Sequence, residues 1–291
     1  MKTIKYFFEF ICIISLFSIF KIIGLKNASN LGSILGKSIG PIFRSKIITK
    51  KNIKNAFGEI SIEKENEIIS SMWSNIGRTF AEYVFLKDFK LNKTKFSHIN
   101  ISGLEYLSEI KKNNDPVIFY SAHLANFELM AMELDKFGIN CIAIYRPLNN
   151  FFLNPLMEYL RIKYICPNQI PKGRIGMRKI INKLKNGFSI ALMVDQRVGE
   201  GPRISFFGKP AHTTTIPAQL SLKYNCKLVP ISLERKEGSN FEMTIHKPYK
   251  INKTNYEKED TKKITLKINQ DIEKMILKNP KQWIWTHNRW K

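Results

Sequence analysis

The sequence predicts an α/β protein, a largely parallel or mixed sheet covered by helices, led by an N-terminal helical membrane anchor. Two observations carry that reading. From about residue 99, short apolar runs bounded by breakers alternate with stretches of helical periodicity. Ahead of them, residues 4–23 are apolar over about the length of a bilayer crossing. Composition agrees with a folded chain: 291 residues, 44% hydrophobic and 24% charged, are neither disordered nor a bundle of membrane spans. The 47 Lys+Arg against 24 Asp+Glu leave a formal net charge of +23, a field that favours polyanions such as nucleic acid, an anionic membrane face or an acidic protein.

In the first element, IKYFFEFICIISLFSIFKII, the charges are Lys5, Glu9 and Lys21, near the ends where long side chains reach the headgroups. Twenty helical residues rise about 30 Å, the thickness of a hydrocarbon core. No small-residue cleavage site follows, so the segment reads as an uncleaved anchor, spanning or half-inserted, with lysines on both sides leaving its orientation open. Residues 31–87 read as helices: LGSILGKSIG sets small and apolar residues at helical spacing, and a stripe runs through Ile68, Ile69, Met72, Ile76, Phe80 and Val84. The expected division is an anchor over 1–25, a helical extension over 26–95 and an α/β domain over 96–291.

Within that domain, PVIFYSA, INCIAIYR, FSIALMVD and KLVPISLE are near-continuous apolar runs of buried parallel-strand type. LANFELMAMELDKF, NPLMEYLRIK, IGMRKIINKLKNG and TTIPAQLSLKYN lie between or after them as helices. FEMTIHKP adds a later strand and residues 260–280 a long C-terminal helix. The four cysteines (Cys12, Cys141, Cys166, Cys226) lack C-x-x-C spacing and partnered histidines, which argues against zinc or a disulfide framework and for a reducing compartment.

The run DPVIFYSAHLANFELM carries the chemistry. His123 falls at a strand-to-helix turn on the carboxyl edge of the sheet, where open α/β folds bind ligands, and Glu128 follows five residues later. With His123 ahead of the first turn, its ring can fold back to meet that carboxylate. A carboxylate fixes the imidazole tautomer and the other ring nitrogen takes a proton from a hydroxyl. With no G-x-S-x-G elbow and no cysteine nearby, direct transfer to a bound alcohol is favoured over a covalent enzyme intermediate. Asp195 and Arg146 end two further strands; Asp195 either caps a turn or joins the site. Arg161 closes one helix and Arg174 opens the next, and their planar forks suit phosphate oxygens. The closing PKQWIWTHNRWK fits core packing or an interfacial aromatic belt.

These blocks together resemble the bacterial late acyltransferases of lipid A biosynthesis, the lauroyl and myristoyl transferases. The likeness runs through the anchor, HLANFE against the family's H-x-G-N-W-E, IYRPLNN with Arg161 downstream, MVDQ, FFGKPAHTT, LVPI and the closing Q-W-x-W-x-H-x-R. Ala125 stands where the family usually has Gly and Phe127 where it has Trp; His123, Asn126 and Glu128 are kept. The resemblance implies a glycerolphosphate/lysophospholipid acyltransferase-like fold at the bacterial inner membrane, with the catalytic domain on the cytoplasmic face. It implies a fatty acyl donor on acyl carrier protein, an acidic partner suited to a basic surface. The implied acceptor is a hydroxyl of an anionic glycolipid of the Kdo2-lipid IVA type. His123 would be the base and Glu128 its orienting partner, with Asn126, Arg146, Arg161, Arg174 and Asp195 around the substrate. No cofactor and no metal are expected. A lysophospholipid or another glycolipid as acceptor is the alternative, and a non-catalytic basic nucleic-acid- or lipid-binding protein the remote one; scattered lysines and the lack of a recognised module speak against nucleic acid.

Overall fold

The computed structural model describes residues 2–91, 98–199, 201–250 and 253–291. The expected boundary at 95–96 lies outside the described residues. The chain opens with α1 (Lys2–Phe43), whose helical course is broken at Gly24, where φ is 79° and ψ 163°. Glycine adopts that backbone without steric cost. Two further helices follow, α2 (Lys46–Phe57) and α3 (Ile62–Glu82), each capped by a serine: Ser45 accepts from Ile48 N–H and Ser61 from Lys64 N–H. The second half of α1 packs closely on α3. Gly32 and Gly36, spaced one turn apart, meet Gly77, and a Cβ on Gly77 would stand 1.9 Å from the Gly32 carbonyl oxygen. Thus the small residues of LGSILGKSIG permit a backbone-to-backbone crossing that larger side chains would forbid.

After the short α4 (Leu86–Leu91), the chain alternates strand and helix: β1 (Ile99–Ser102), α5 (Leu104–Asn113), β2 (Val117–Ser121), α6 (Glu128–Lys136), β3 (Cys141–Tyr145), α7 (Asn154–Leu160), β4 (Gln169–Pro171), α8 (Arg174–Lys185) and β5 (Ser189–Met193). A hairpin of β6 (Arg203–Phe206) and β7 (Lys209–His212) intervenes before α9 (Ile216–Tyr224), β8 (Lys227–Arg235), β9 (Phe241–Ile245) and α10 (Glu257–Lys278). Seven strands form one sheet in the order β1-β9-β8-β2-β5-β3-β4, parallel at every pairing except the antiparallel β8–β9.

The four apolar runs and FEMTIHKP form strands as their patterning predicts. β1, β4 and the β6–β7 hairpin are too short or too polar to have been legible. β2 is buried at all five positions: Val117 and Phe119 join the core on one face of the sheet, Ile118 and Tyr120 the core on the other. Such two-sided burial is why the run reads as continuous rather than alternating.

A buried ionic cluster ties the leading helices to the sheet. Glu82 is fully buried at the end of α3, and Arg235, 7% exposed at the end of β8, bonds both of its oxygens. Ser29 of α1 donates to Glu82 Oε1 at 3.0 Å, and Arg235 Nε donates to Asn75 Oδ1 at 2.9 Å. Removing one partner of a buried pair leaves an uncompensated charge, which costs about 3–5 kcal/mol. Arg235→Met is therefore expected to lower the midpoint of detergent-solubilised thermal unfolding strongly, and Arg235→Met with Glu82→Leu should recover part of the loss. An unchanged midpoint in the single variant would refute this account.

Candidate active site

β2 and β5 run parallel with Ser121 opposite Met193. Two residues past each strand end stand His123 and Asp195, and the register brings them side by side. The Asp195 carboxylate holds the histidine at two points: Oδ2 accepts the His123 backbone N–H at 3.1 Å, and Oδ1 lies 2.7 Å from Nδ1. A third donor comes from the far end of the chain, where Trp283 Nε1–H bonds Oδ2 at 2.7 Å. Asp195 is 3% exposed, so these three donors take the place of water around its charge. Burial pushes the Asp195 carboxyl up, but the His123 charge and the donated hydrogen bonds outweigh it and hold it at about 2. Burial likewise opposes a charged His123, yet the charge and hydrogen bond of Asp195, with the charge of Glu128, raise it above the ordinary histidine value. With Nδ1–H committed to Asp195, Nε2 is the nitrogen that can take a proton.

This corrects the expected pairing. The carboxylate bonded to His123 is Asp195, not Glu128, because strand register decides the neighbour and sequence proximity does not. Glu128 opens α6 and faces a different group. Arg161 donates to its Oε1 from Nε at 3.2 Å and from Nη2 at 2.8 Å, and Tyr83 O–H donates to the same oxygen. Arg161 Nη2 also bonds the Tyr83 hydroxyl at 2.9 Å, and the guanidinium lies 5.8 Å from the centroids of both Tyr83 and Tyr145. Burial favours losing the Arg161 proton, but Glu128 and Tyr83 more than compensate and raise its affinity for it. The arginine begins a π-turn, Arg161–Ile165, closed by a bond from Cys166 N–H to Arg161 O at 3.0 Å.

The turn between His123 and Glu128 rests on a polar platform. Ala125 adopts a left-handed φ of 50°, which costs a residue with a Cβ about 1–2 kcal/mol. Its carbonyl accepts from Asn75 Nδ2 at 3.0 Å and from Thr79 Oγ1 at 3.1 Å, and its N–H bonds Gln282 O at 3.3 Å. Asn126 is 1% exposed and donates to Glu82 Oε2 at 2.9 Å, so it pins the turn to the ionic cluster and cannot reach a substrate as placed. Phe127 packs edge-on to the His123 ring with centroids 4.7 Å apart.

Of the remaining expected site residues, Arg146 and Arg174 are exposed, at the end of β3 and the start of α8. β3 and β4 pair Tyr145 with Pro171, so Arg146 and Lys172 leave adjacent strands at the same edge as His123 and Asp195. The carboxyl edge thus presents, in strand order, His123, Asp195, Arg146 and Lys172. Sequence reasoning missed Tyr83 and Trp283. The clustered tryptophans near the chain end were a signal, but the indole's partner depends on tertiary packing. In the same segment His287 Nε2 accepts from Arg197 N–H at 2.8 Å, and buried Arg289 bonds His212 O at 2.6 Å and Thr213 Oγ1 at 2.9 Å. No group of three or more metal-ligating side chains occurs among the described residues.

A carboxylate-held histidine stands at the carboxyl edge of a mostly parallel sheet, an arrangement chemically able to act as a general base, and exposed cations leave other strands at the same edge. The protein's family is settled by sequence: the profile of the bacterial lipid A biosynthesis acyltransferases matches residues 1–291, and the chain belongs to that family. Among its relatives, a lipid A biosynthesis acyltransferase of Haemophilus influenzae is 25% identical over 257 residues, covering 85% of this chain and 78% of that protein. The lipid A biosynthesis palmitoleoyltransferase and lauroyltransferase of Escherichia coli are 25% and 24% identical over 270 residues, each covering 90% of this chain and 84% of the relative.

The pH dependence of transfer follows from the pairing. A base works when neutral, so with His123 in that role the rate would rise with pH through its raised value, above 6.5. Asp195→Asn removes the charge that raises it; the limb should move to lower pH and the plateau fall roughly 10²- to 10⁴-fold. Trp283→Phe takes a donor from Asp195, leaving the carboxylate a stronger partner for the imidazolium. There the limb should move upward, with a loss of roughly tenfold. Rate–pH profiles of the purified variants test this, and shifts of the same sign in both would contradict the assigned roles.

Proposed function

We propose that this chain transfers a fatty acyl group from acyl carrier protein to a hydroxyl of an anionic lipid A precursor of the Kdo2-lipid IVA type. The observation that carries the reading is His123, held through Nδ1 by Asp195 with Nε2 as the working nitrogen, in a chain matched over its whole length by lipid A acyltransferases. Nε2 takes the proton of the acceptor hydroxyl as its oxygen attacks the thioester carbonyl, and Asp195 stabilises the imidazolium that forms. Backbone amides at the start of α6 stabilise the oxyanion. Collapse of the tetrahedral intermediate expels the carrier thiolate, which takes the proton back from His123. Glu128 contributes its charge to the imidazolium and fixes Arg161 at the edge of the site, the role its contacts support in place of direct orientation of the ring.

Arg146 and Arg174 receive the acceptor's phosphates. Their exposure leaves them available to a ligand, whereas the guanidinium of Arg161 is already engaged. The net charge of +23 suits both an acidic carrier protein and an anionic glycolipid. The apolar first half of α1 supports attachment to a membrane; with family membership we assign the bacterial inner membrane, the catalytic domain on its cytoplasmic face and a glycerolphosphate-acyltransferase-like α/β fold over 96–291.

Two experiments test this. Mass spectrometry of lipid A from cells with and without the protein should show a species heavier by one acyl chain only when the protein is present; identical spectra would refute the acceptor assignment. In transfer assays at saturating acyl carrier protein donor, Arg146→Ala and Arg174→Ala should each raise KM for the acceptor roughly 10-fold or more, the loss of one charge-assisted contact of about 1.5–3 kcal/mol. An unchanged acceptor dependence in both variants would remove these arginines from the site.

A further inference from the structure

The leading half of α1 is the most apolar segment of the chain, with a mean hydropathy of 2.2 over its best 18-residue window and 11% of that window buried. It nevertheless lies along the protein. Tyr6, Glu9, Phe10, Ile13, Phe17 and Phe20 form a helical stripe of buried or half-buried positions. The contacts hold both ends of the stripe. Near the start, Asn150 Nδ2 donates to Tyr6 O at 2.9 Å, and Phe7 meets Phe152 with ring centroids 5.6 Å apart. Near the other end, Phe17 stacks on Phe80 at 5.0 Å and Lys21 pairs with Asp88 of α4 at 3.1 Å. From residue 6 to residue 21 a helix rises about 22 Å. A helix that crossed the bilayer along its normal would carry that flank of the domain into the hydrocarbon with it. Asp88 and the lysines beside it would then face a cost of about 2.5–3.5 kcal/mol for each charge near the centre.

The face of α1 turned away from the domain is apolar and exposed: Ile4 is 63% exposed, Phe8 63% and Ile22 84%. The same apolar surface continues onto the domain. Phe151, 52% exposed, packs edge-on against Tyr6 with centroids 5.8 Å apart, and α7 and its π-turn add Tyr159 at 52% and Ile162 at 48%. Lys163, stacked over Tyr159 at 4.9 Å, places a cation at the rim, where anionic headgroups lie. We infer that α1 does not span the membrane: it lies in the interface of one leaflet, and Phe151, Tyr159 and Ile162 enter that same leaflet beside it. The inference rests on the membrane attachment proposed above and defines its geometry. One functional consequence follows from chain order. Tyr159 and Ile162 flank the stretch that delivers Arg161 to Glu128, so the edge of the site stands at the surface from which a lipid acceptor would enter.

Spin-label depth measurements on the full chain decide the matter, using vesicles of phosphatidylethanolamine and phosphatidylglycerol. Single labels go at Ile4→Cys, Ile11→Cys, Ile22→Cys and Tyr159→Cys in a Cys12→Ser background; the other three cysteines are buried. All four labels are expected at similar depth, about 5–10 Å below the surface. A label at Ile11 near the midplane, about 15 Å deep, with Tyr159 in water, would overturn the inference while leaving membrane attachment intact. Failure of the unlabelled protein to bind the vesicles would overturn both. The double variant Phe151→Asp with Tyr159→Asp supplies a second readout. Vesicle affinity should fall about tenfold or more, because two exposed aromatics leave the leaflet; unchanged affinity would mean that α1 alone holds the protein and would overturn the shared surface.

Discussion

Glu82 has no contact with solvent, and a carboxylate there is tolerable only because three other parts of the chain converge on it. Ser29 arrives from α1, Arg235 from β8 and Asn126 from the turn that follows His123, while Glu82 itself ends α3. Each brings a donor to an oxygen that would otherwise have to be desolvated without compensation. The arrangement makes the leading helices part of the enzyme's interior. It also explains how a non-glycine residue persists at a left-handed φ in the His123 turn. Asn75 and Thr79, from the same helix as Glu82, grip the Ala125 carbonyl, so the surrounding structure over-determines a conformation that Ala125 alone would not choose.

A second buried carboxylate has a different task. Asp195 is held by parallel register on one side and by the indole of Trp283 on the other, and what remains of its hydrogen-bonding capacity fixes His123. In the proposed mechanism its fixed donors mean that an imidazolium formed during transfer would meet a carboxylate already oriented. Glu128 adds charge to the same neighbourhood while being neutralised by Arg161. The two acids therefore divide the work that a reading of H-x-x-x-x-E assigns to one: Asp195 orients the ring, and Glu128 secures the guanidinium behind it.

The closing segment of the chain completes the site from beneath. Trp283 and Trp285 pack edge to face with centroids 4.6 Å apart, and Trp285 bonds its indole N–H to Pro280 O at 2.7 Å. Asn52 of α2 donates to the carbonyls of Trp285 and His287. Residues more than two hundred positions apart thus meet near His123 and Asp195, which couples the helical extension, the sheet edge and the chain end in one unit.

What the sequence determined by itself is whatever depends on local periodicity and on strand topology. The buried runs at residues 116–122, 139–146, 188–195 and 227–234 read as strands because they are short, bounded by breakers and alternate with stretches of helical periodicity. Once they were strands, His123, Arg146 and Asp195 had to end at one edge of a parallel sheet. The family was legible for a related reason: three of its motifs, HLANFE, IYRPLNN and MVDQ, sit at those strand ends, each in a short stretch. Tertiary structure alone decided which partners meet. That His123 bonds Asp195, that Glu128 bonds Arg161 and Tyr83, and that Asn126 is buried against Glu82 all follow from register and helix docking, which align residues 33 to 72 positions apart. The same holds for α1. Its hydropathy marks it as long and apolar enough to enter a membrane, but only the tertiary structure shows the side chains of the domain packed along its length. A one-dimensional pattern records which faces must be hidden; which atoms then touch is fixed by how those faces are stacked.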